Sequence, residues 1–224
     1  MEKPLIEIKN LNKSFGKKII FKNMNIDFNK GETIGIVGAN GMGKSVFYKM
    51  LSGIMNYDDG EIKVDGKVIG KDIDFPEEIG ILIDEPAFLP YDTGFNNLLY
   101  LAMIRKKIGK EEIKDIMNRL NLDPKNRTFV KKYSLGMKKK LALAQAIMEG
   151  QEIIILDEPF NALDFQTFEE IKKIINGLKK ENKTVFITSH NQKDLEEFCD
   201  KIYVIDDYTL KPFTDDLKEK YFLH

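Results

Sequence analysis

The strongest constraint on the fold is a glycine-rich stretch, GANGMGKS, at residues 38–45. It follows an apolar run at residues 33–37 and precedes residues 46–51, a short segment that ends at Ser52-Gly53. The sequence therefore predicts a buried strand, a turn and a helix in this order. Glycine gives the turn backbone angles that other residues avoid, so that several N–H groups can point at one anion.

The length and charge of the chain limit its class. Its 224 residues suffice for one sizeable core with an inserted subdomain. The 35 basic and 36 acidic residues nearly cancel, so no overall field favours nucleic acid or anionic lipid. Cys199 is the single cysteine, which excludes an intrachain disulfide and suits a reducing compartment. The apolar runs are far shorter than the ~20 residues that span a bilayer. We therefore expect a cytoplasmic chain without a transmembrane segment or signal peptide, which meets a membrane only through a partner.

Short β-branched and aromatic runs surround the glycine-rich turn. Those before it predict an N-terminal, partly antiparallel sheet. These runs are Ile6-Glu7-Ile8, Ile19-Ile20-Phe21 and Ile26-Asp27-Phe28. Turn sequences at residues 58–60 and 65–67 separate residues 61–64 from 68–69, which predicts a hairpin added to this sheet.

The apolar pattern changes to helical spacing from about Pro86 to Glu149, as in Ile113, Ile116 and Met117. Beyond it, strands predicted at 153–156, 184–188 and 202–205 alternate with helices predicted at 168–178 and 192–198. This alternation is typical of a parallel sheet buried on both faces. We predict one α/β domain, 1–224, with a core of about 1–85 and 150–224 and an inserted α-helical subdomain of about 86–149.

The glycine-rich turn matches the phosphate-binding pattern G-x-x-x-x-G-K-[ST]. Lys44 can reach the outer phosphates of a nucleotide, the helix that follows adds the positive end of its dipole, and the Ser45 hydroxyl can ligate Mg²⁺. The alternative is a turn that merely joins strand to helix, but both flanking elements favour a nucleotide site. The residues predicted to bind it here are Gly38, Ala39, Asn40, Gly41, Met42, Gly43, Lys44, Ser45 and Val46.

Two adjacent acids end the apolar strand at residues 153–156. Asp157 could hold Mg²⁺ through water, and Glu158 could polarise the water that attacks a phosphate. The alternative is a solvated loop that opens with acids. Together with the phosphate turn, the pair favours nucleotide hydrolysis.

A third motif, Tyr133-Ser134-Leu135-Gly136-Met137, lies between these two and precedes a helical run. With the three motifs in this order, the chain resembles the ATP-binding subunit of an ABC transporter over nearly its whole length. The resemblance makes residues 38–45 Walker A, 133–137 the signature, 153–157 Walker B and 161–164 the D-loop. It implies the fold of a P-loop NTPase, with a RecA-like parallel core, an antiparallel β-subdomain and an inserted helical subdomain.

The resemblance also implies roles for single residues. Glu158 and His190 become the catalytic pair, although a lone histidine after a strand is often a satisfied core or loop residue. The ring of Phe15 is placed on the adenine, the alternative being a core phenylalanine. ATP and Mg²⁺ are the expected ligands, with Ser45 and Asp157 at the metal ion.

The signature departs from the family pattern L-S-G-G-Q, because only Ser134 and the second glycine, Gly136, are kept. The resemblance implies that these residues, at the start of a helix, receive the γ-phosphate of ATP bound to a second subunit. We expect a head-to-tail homodimer with two ATP molecules between the subunits. The altered signature is similar to that of subunits serving ABC-2-type exporters. A polytopic transmembrane permease is therefore the expected partner, and nucleic acid is not.

Asp84 stands where the family usually has glutamine, a ligand of Mg²⁺ and water that senses the membrane partner. A glutamate there is similar to transporters for bacitracin or lantibiotic self-protection, and Asp84 resembles a shortened version. The resemblance thus implies a third metal-site residue and export of a peptide antibiotic or another amphiphile. The alternative is a solvated loop acid.

Two other functions compete with transport. A soluble ABC-type ATPase that acts on ribosomes or DNA is disfavoured by the single cassette and by the lack of heptad repeats or zinc-type cysteine pairs. A regulatory subunit without hydrolysis is disfavoured by Glu158 and His190. Lys138, Lys139 and Lys140 are interpreted as a solvated helix face rather than a nucleic-acid site, and Cys199 as a packing residue.

Overall fold

The computed structural model describes residues 3–39, 41–84, 87–189 and 192–217. These residues form an antiparallel sheet, a mainly parallel sheet and helices packed around them. None of the helices in these ranges is long and apolar enough to cross a membrane. The predicted α/β class is confirmed.

The antiparallel sheet has the strand order β2-β1-β4-β5. Its strands are β1 (Ile6–Phe15), β2 (Lys18–Phe28), β4 (Asp59–Val64) and β5 (Lys67–Val68). Strands β4 and β5 pair as the predicted hairpin. The runs at 19–21 and 26–28 both belong to one strand, β2. Register shifts between β1 and β2 interrupt the apolar alternation while backbone pairing continues. One long strand therefore shows two short apolar runs in the sequence.

The second sheet has the order β10-β9-β3-β8-β7-β6, parallel except for the β9–β10 pair. Its strands are β3 (Thr33–Val37), β6 (Ile79–Leu82), β7 (Ile153–Leu156), β8 (Thr184–Thr188), β9 (Lys201–Asp206) and β10 (Thr209–Pro212). The predicted parallel sheet is confirmed. The edge strands β6 and β10 were not predicted, because each is short and only partly buried.

The described helices are α1 (Lys44–Leu51), α2 (Gly94–Arg105), α3 (Lys110–Arg119), α4 (Leu135–Ile147), α5 (Phe165–Lys180) and α6 (Gln192–Phe198). A short 3₁₀ turn, Val130–Lys132, precedes α4. Helices α2 to α4 all fall within the range predicted for the helical subdomain. The division of the chain into core and subdomain stays a prediction.

Two apolar clusters hold these elements together. One lies between the sheets and around α1, where Phe28 makes edge contacts with Phe186 and Tyr203. The other joins α2 to α5 to the opposite face of the parallel sheet. Helix α4 lies so close to β6 that a Cβ atom on Gly80 would stand 1.7 Å from the carbonyl oxygen of Ala146. Glycine at this position therefore fixes the approach of α4 to the sheet.

The strand order determines where a site can form. Strand β8 lies between β3 and β7, and all three run parallel. The segments that leave their carboxyl ends begin at Gly38, Ser189 and Asp157. Ligands of open parallel sheets bind at such an edge, so the fold brings the phosphate turn and the two acids together.

Candidate functional site

The phosphate turn leads directly into α1. Gly43 caps this helix with φ 108°, a left-handed conformation that L side chains rarely adopt. A Cβ atom on Gly43 would also lie 2.5 Å from a methyl group of Ile20. Glycine is required for both reasons, and the turn brings the first N–H groups of α1 to the edge of the sheet.

Lys44 is buried, with 7% of its surface exposed. Its ammonium donates to the carbonyl oxygen of Gly38 and, at 3.4 Å, to that of Ala39. Burial lowers the pKa of Lys44, and the carboxylates of Glu158 and Asp157 oppose this shift. A cation held by neutral carbonyls inside a phosphate turn can exchange these partners for phosphate oxygens.

Asp157 is the centre of a hydrogen-bond cluster. Ser45 Oγ donates to its Oδ2 at 2.6 Å, and Thr188 Oγ1 donates to its Oδ1 at 2.6 Å. The backbone N–H of Glu158 donates to Thr188 Oγ1 at 2.8 Å. Thr188 was not identified from the sequence, although its place at the end of a strand on this edge was a usable signal.

The Ser45 hydroxyl and the Asp157 carboxylate fit Mg²⁺. They supply hard oxygen donors side by side, and Mg²⁺ in phosphate sites takes one or two protein ligands together with phosphates and water. Asp84 is bound elsewhere, since its carboxylate pairs with Lys49 Nζ at 2.6 Å and its side chain is 62% exposed. Lys49 follows Ser45 by about one turn of α1, so this ion pair ties Asp84 to the same helix that carries the serine. A metal-site role for Asp84 stays a prediction.

A cavity of about 290 Å³ joins most of the predicted residues. Its lining consists of Phe15, Lys18, Ile20, Ala39, Gly41, Gly43, Lys44, Ser45, Val46, Asp157 and Glu158. A larger cavity of about 590 Å³ is lined by Met42 and Tyr208 and shares Lys18, Ile20 and Gly41 with the smaller one, but Lys44 and Asp157 do not line it. We therefore take the smaller one as the candidate nucleotide site.

Phe15 stands at this cavity with 47% of its surface exposed. The ammonium of Lys13 lies 5.2 Å from the centre of its ring. This exposure disfavours the alternative that Phe15 is an ordinary core residue. Stacking on a base stays a prediction.

The signature residues lie apart from this cavity. Ser134 caps α4, and its Oγ accepts from the N–H of Met137 at 3.2 Å while the residue stays exposed. Gly136 is buried, and a Cβ atom there would lie 2.7 Å from Thr167 Oγ1. Neither residue is among those that line the 290 Å³ cavity. Of the remaining predicted residues, Asn40 and His190 lie outside the described ranges.

The solvated lysine face predicted on α4 is wrong for two of its three residues. Lys140 is buried and bonds Glu170 at 2.9 Å, and Lys139 Nζ donates to the carbonyl oxygen of Glu158 at 3.2 Å. Only Lys138 is exposed. These two lysines turn inward because α4 packs against both α5 and the loop after β7. The carboxylate of Glu170 on α5 binds Lys140, and the carbonyl oxygen of Glu158 in the loop binds Lys139.

A phosphate turn at the carboxyl edge of a parallel sheet, with a serine–aspartate pair and an adjacent glutamate, defines a P-loop nucleotide-hydrolysing ATPase. A family model described as "ABC transporter" matches residues 21–161. The ABC transporter ATP-binding protein YybJ of Bacillus subtilis is 38% identical over 88% of this chain and 90% of its own. The chain belongs to the ABC transporter family, as the motifs predicted.

Other relatives agree with this assignment. The bacitracin transport ATP-binding protein BcrA of Enterococcus faecalis is 34% identical over 90% of this chain and 66% of its own. The lantibiotic transport ATP-binding protein SrtF of Streptococcus pyogenes is 32% identical over 88% and 85%. The solved dimeric cassette MJ0796 shares the fold, with a TM-score of 0.80 over 92% of this chain and 96% of its own at 24% identity. The chain is an ATP-binding and ATP-hydrolysing subunit of an ABC transporter.

Proposed function

We propose that this subunit powers export of a peptide antibiotic or a related amphiphile through a polytopic permease of the ABC-2 type. The names of BcrA and SrtF, and of the linearmycin resistance protein LnrL, 32% identical over 90% of this chain, support this substrate class. The acid at position 84 supports it further. The chain would act at the cytoplasmic face of the membrane, bound to the permease.

The single observation that carries the ATPase part is the Ser45–Asp157 contact in the cavity that Lys44 and Glu158 also line. The nucleotide phosphates would replace the carbonyls of Gly38 and Ala39 at the Lys44 ammonium. Ser45 and Asp157 would hold Mg²⁺, which when bound neutralises charge on the outer phosphates.

The reaction places one demand on Glu158. Water attacks the γ-phosphorus, the bond to the bridging oxygen breaks, and the proton of the water passes to the Glu158 carboxylate while ADP and phosphate form. The carboxylate must therefore point at the water and not merely lie close to it. Its position directly after Asp157, at the lining of the cavity, supports this role.

The second half of each ATP site would come from another copy of the chain. Ser134 is exposed and stands apart from the cavity of its own chain, so a head-to-tail homodimer would bring it to the γ-phosphate of the other. The N–H groups and dipole at the start of α4 suit an anion. His190 would contact the same phosphate, as the family resemblance implies.

Asp84 would connect the nucleotide to the permease. It lines a cavity of about 270 Å³ together with Phe88, Lys131 and Leu135, which all lie in the range predicted for the helical subdomain. In the described state its carboxylate is bound to Lys49. On closure around ATP it would leave Lys49 for a water at Mg²⁺, a motion that a permease segment in this cavity could sense.

Resistance tests this function directly. A bacterium sensitive to bacitracin and lantibiotics is given the chain together with a permease that co-purifies with it. We expect the inhibitory concentration of at least one of these peptides to rise with the wild-type chain and not with Glu158→Gln. Equal resistance with both chains would remove Glu158 from the function. Unchanged sensitivity with the wild-type chain, when the tagged chain co-purifies the permease and hydrolyses ATP, would contradict the substrate class alone.

A further inference from the structure

Lys139 reaches from α4 to the peptide group beside the proposed base. It lies in the second turn of the helix and is half-buried. Its ammonium donates to the carbonyl oxygen of Glu158 at 3.2 Å. Helix and base are thus joined by a charged side chain.

The backbone of Glu158 needs such support. Its φ is 50°, in the left-handed region that residues other than glycine seldom adopt. The N–H group is held by Thr188 Oγ1, and the carbonyl oxygen accepts from the N–H of Asn161 at 3.3 Å as well as from Lys139. Conformations of this kind persist where the surroundings fix them. The backbone angles set the direction of the Cα–Cβ bond. These contacts therefore also fix the direction in which the Glu158 side chain leaves the backbone.

The same helix carries the signature serine. Ser134 caps α4, and Gly136 packs against Thr167 so closely that an added Cβ would lie 2.7 Å from its hydroxyl. Thr167 in turn bonds Asp164, which caps α5. The segment from Glu158 to Asp164 is therefore held against α4 at both ends. A displacement of Ser134 would be passed to Glu158 through these contacts.

We propose that Lys139 is a positioning residue for Glu158 and links this base to the serine end of α4. The proposal rests on the proposed function, which makes Glu158 the base and brings Ser134 to the ATP of the second subunit. In this role Lys139 acts through the peptide group of Glu158. It keeps the peptide group of Glu158 oriented, so that the carboxylate meets the water when ATP on the other chain engages Ser134.

Three variants of the purified chain test the proposal. Lys139→Met keeps the length of the side chain but removes the donor, Lys139→Arg keeps a cationic donor, and Lys138→Met is the control on the exposed neighbour. We expect Lys139→Met to lower kcat for ATP about tenfold to hundredfold while KM stays within about twofold, because misorientation affects chemistry more than binding. Lys139→Arg should regain most of kcat, and Lys138→Met should match the wild type.

The link to Glu158 is tested in a double variant. If Lys139 acts through the Glu158 carboxylate, adding Lys139→Met to Glu158→Gln should lower kcat no further. The proposal would be overturned if Lys139→Met lowered kcat in the Glu158→Gln background as much as it does alone. It would also be overturned if Lys139→Met alone kept the wild-type kcat, or if its KM rose by the same factor as its kcat fell. If Lys139→Met lowers Tm, Lys139→Gln repeats the comparison with a shorter donor. The proposed function fails separately, if Glu158→Gln alone hydrolyses ATP like the wild type.

Discussion

The two halves of the proposed ATP site are built in opposite ways. On the phosphate side, Lys44, Asp157 and Thr188 are buried and their polar groups bond one another or the backbone. On the signature side, Ser134 is an exposed helix cap. Buried polar groups need internal partners because they have lost water, whereas an exposed hydroxyl can stay solvated until a partner arrives. The difference fits the proposal that one chain binds the nucleotide and that two chains together hydrolyse it.

The largest expected effect lies on the phosphate side. Lys44→Ala removes the cation that faces the phosphates and leaves Asp157 and Glu158 beside them. We expect the affinity for a fluorescent ATP analogue to fall more than about a hundredfold, as for loss of a buried charge-assisted contact. Lys17→Ala, on the exposed turn between β1 and β2, should bind like the wild type. Affinity within about threefold of the wild type for Lys44→Ala would place the nucleotide elsewhere.

The matching change on the signature side should spare capture. Ser134→Arg puts a large side chain on the surface that would meet the second chain, so the ATP-dependent dimer should be lost on size-exclusion chromatography. ATP affinity of the single chain should stay within about threefold of the wild type. Asn118→Arg, at an exposed position of α3, controls for the added charge. An unchanged dimer with Ser134→Arg would remove this serine from the interface.

The sequence predicts some residues of the candidate site better than others. Lys44, Ser45, Asp157, Glu158 and Ser134 could be proposed because each lies in a contiguous motif. Thr188, Lys139 and Lys49 could not, since a threonine at a strand end or a lysine on a helix is common and its partner here depends on strand order and helix packing. The same cause made the lysine face wrong, because the contacts of Lys139 and Lys140 lie far away along the chain.

A change at Asp84, which pairs with Lys49, should distinguish ATP binding from coupling to the permease. An exposed ion pair contributes little to stability, and Lys44 with the turn amides would still hold the phosphates after Asp84→Ala. We expect ATP affinity within about threefold of the wild type but a clear loss of permease-dependent peptide resistance. Asp84→Glu, which restores a carboxylate, should keep the resistance. If Asp84→Ala leaves both affinity and resistance unchanged, Asp84 is an ordinary loop acid and the coupling argument is lost.

The smallest effect concerns the scaffold behind the phosphate turn. Cys199 packs there, where its Sγ would lie 2.9 Å from a Cβ atom on Gly35 of β3. Burial raises the pKa of the Cys199 thiol to about 12, so the reactive thiolate is scarce below that pH in the folded chain and becomes common only as the pH approaches it. Labelling with a thiol reagent at pH 8 should be slow in buffer and fast in urea. Equal rates would show that this scaffold is open.

The most direct test of the two-chain site is a mixture of Glu158→Gln and Ser134→Ala chains, both of which should still bind ATP and neither of which should hydrolyse it alone. In a head-to-tail heterodimer one site keeps Glu158 from one chain and Ser134 from the other, and the second site carries both defects. In an equal mixture half of the dimers are mixed and half of their sites are intact, so we expect recovery of up to about one quarter of the wild-type ATPase rate. Two variants that remain inactive after mixing, beside a wild-type chain that hydrolyses ATP, would contradict a site shared by two chains.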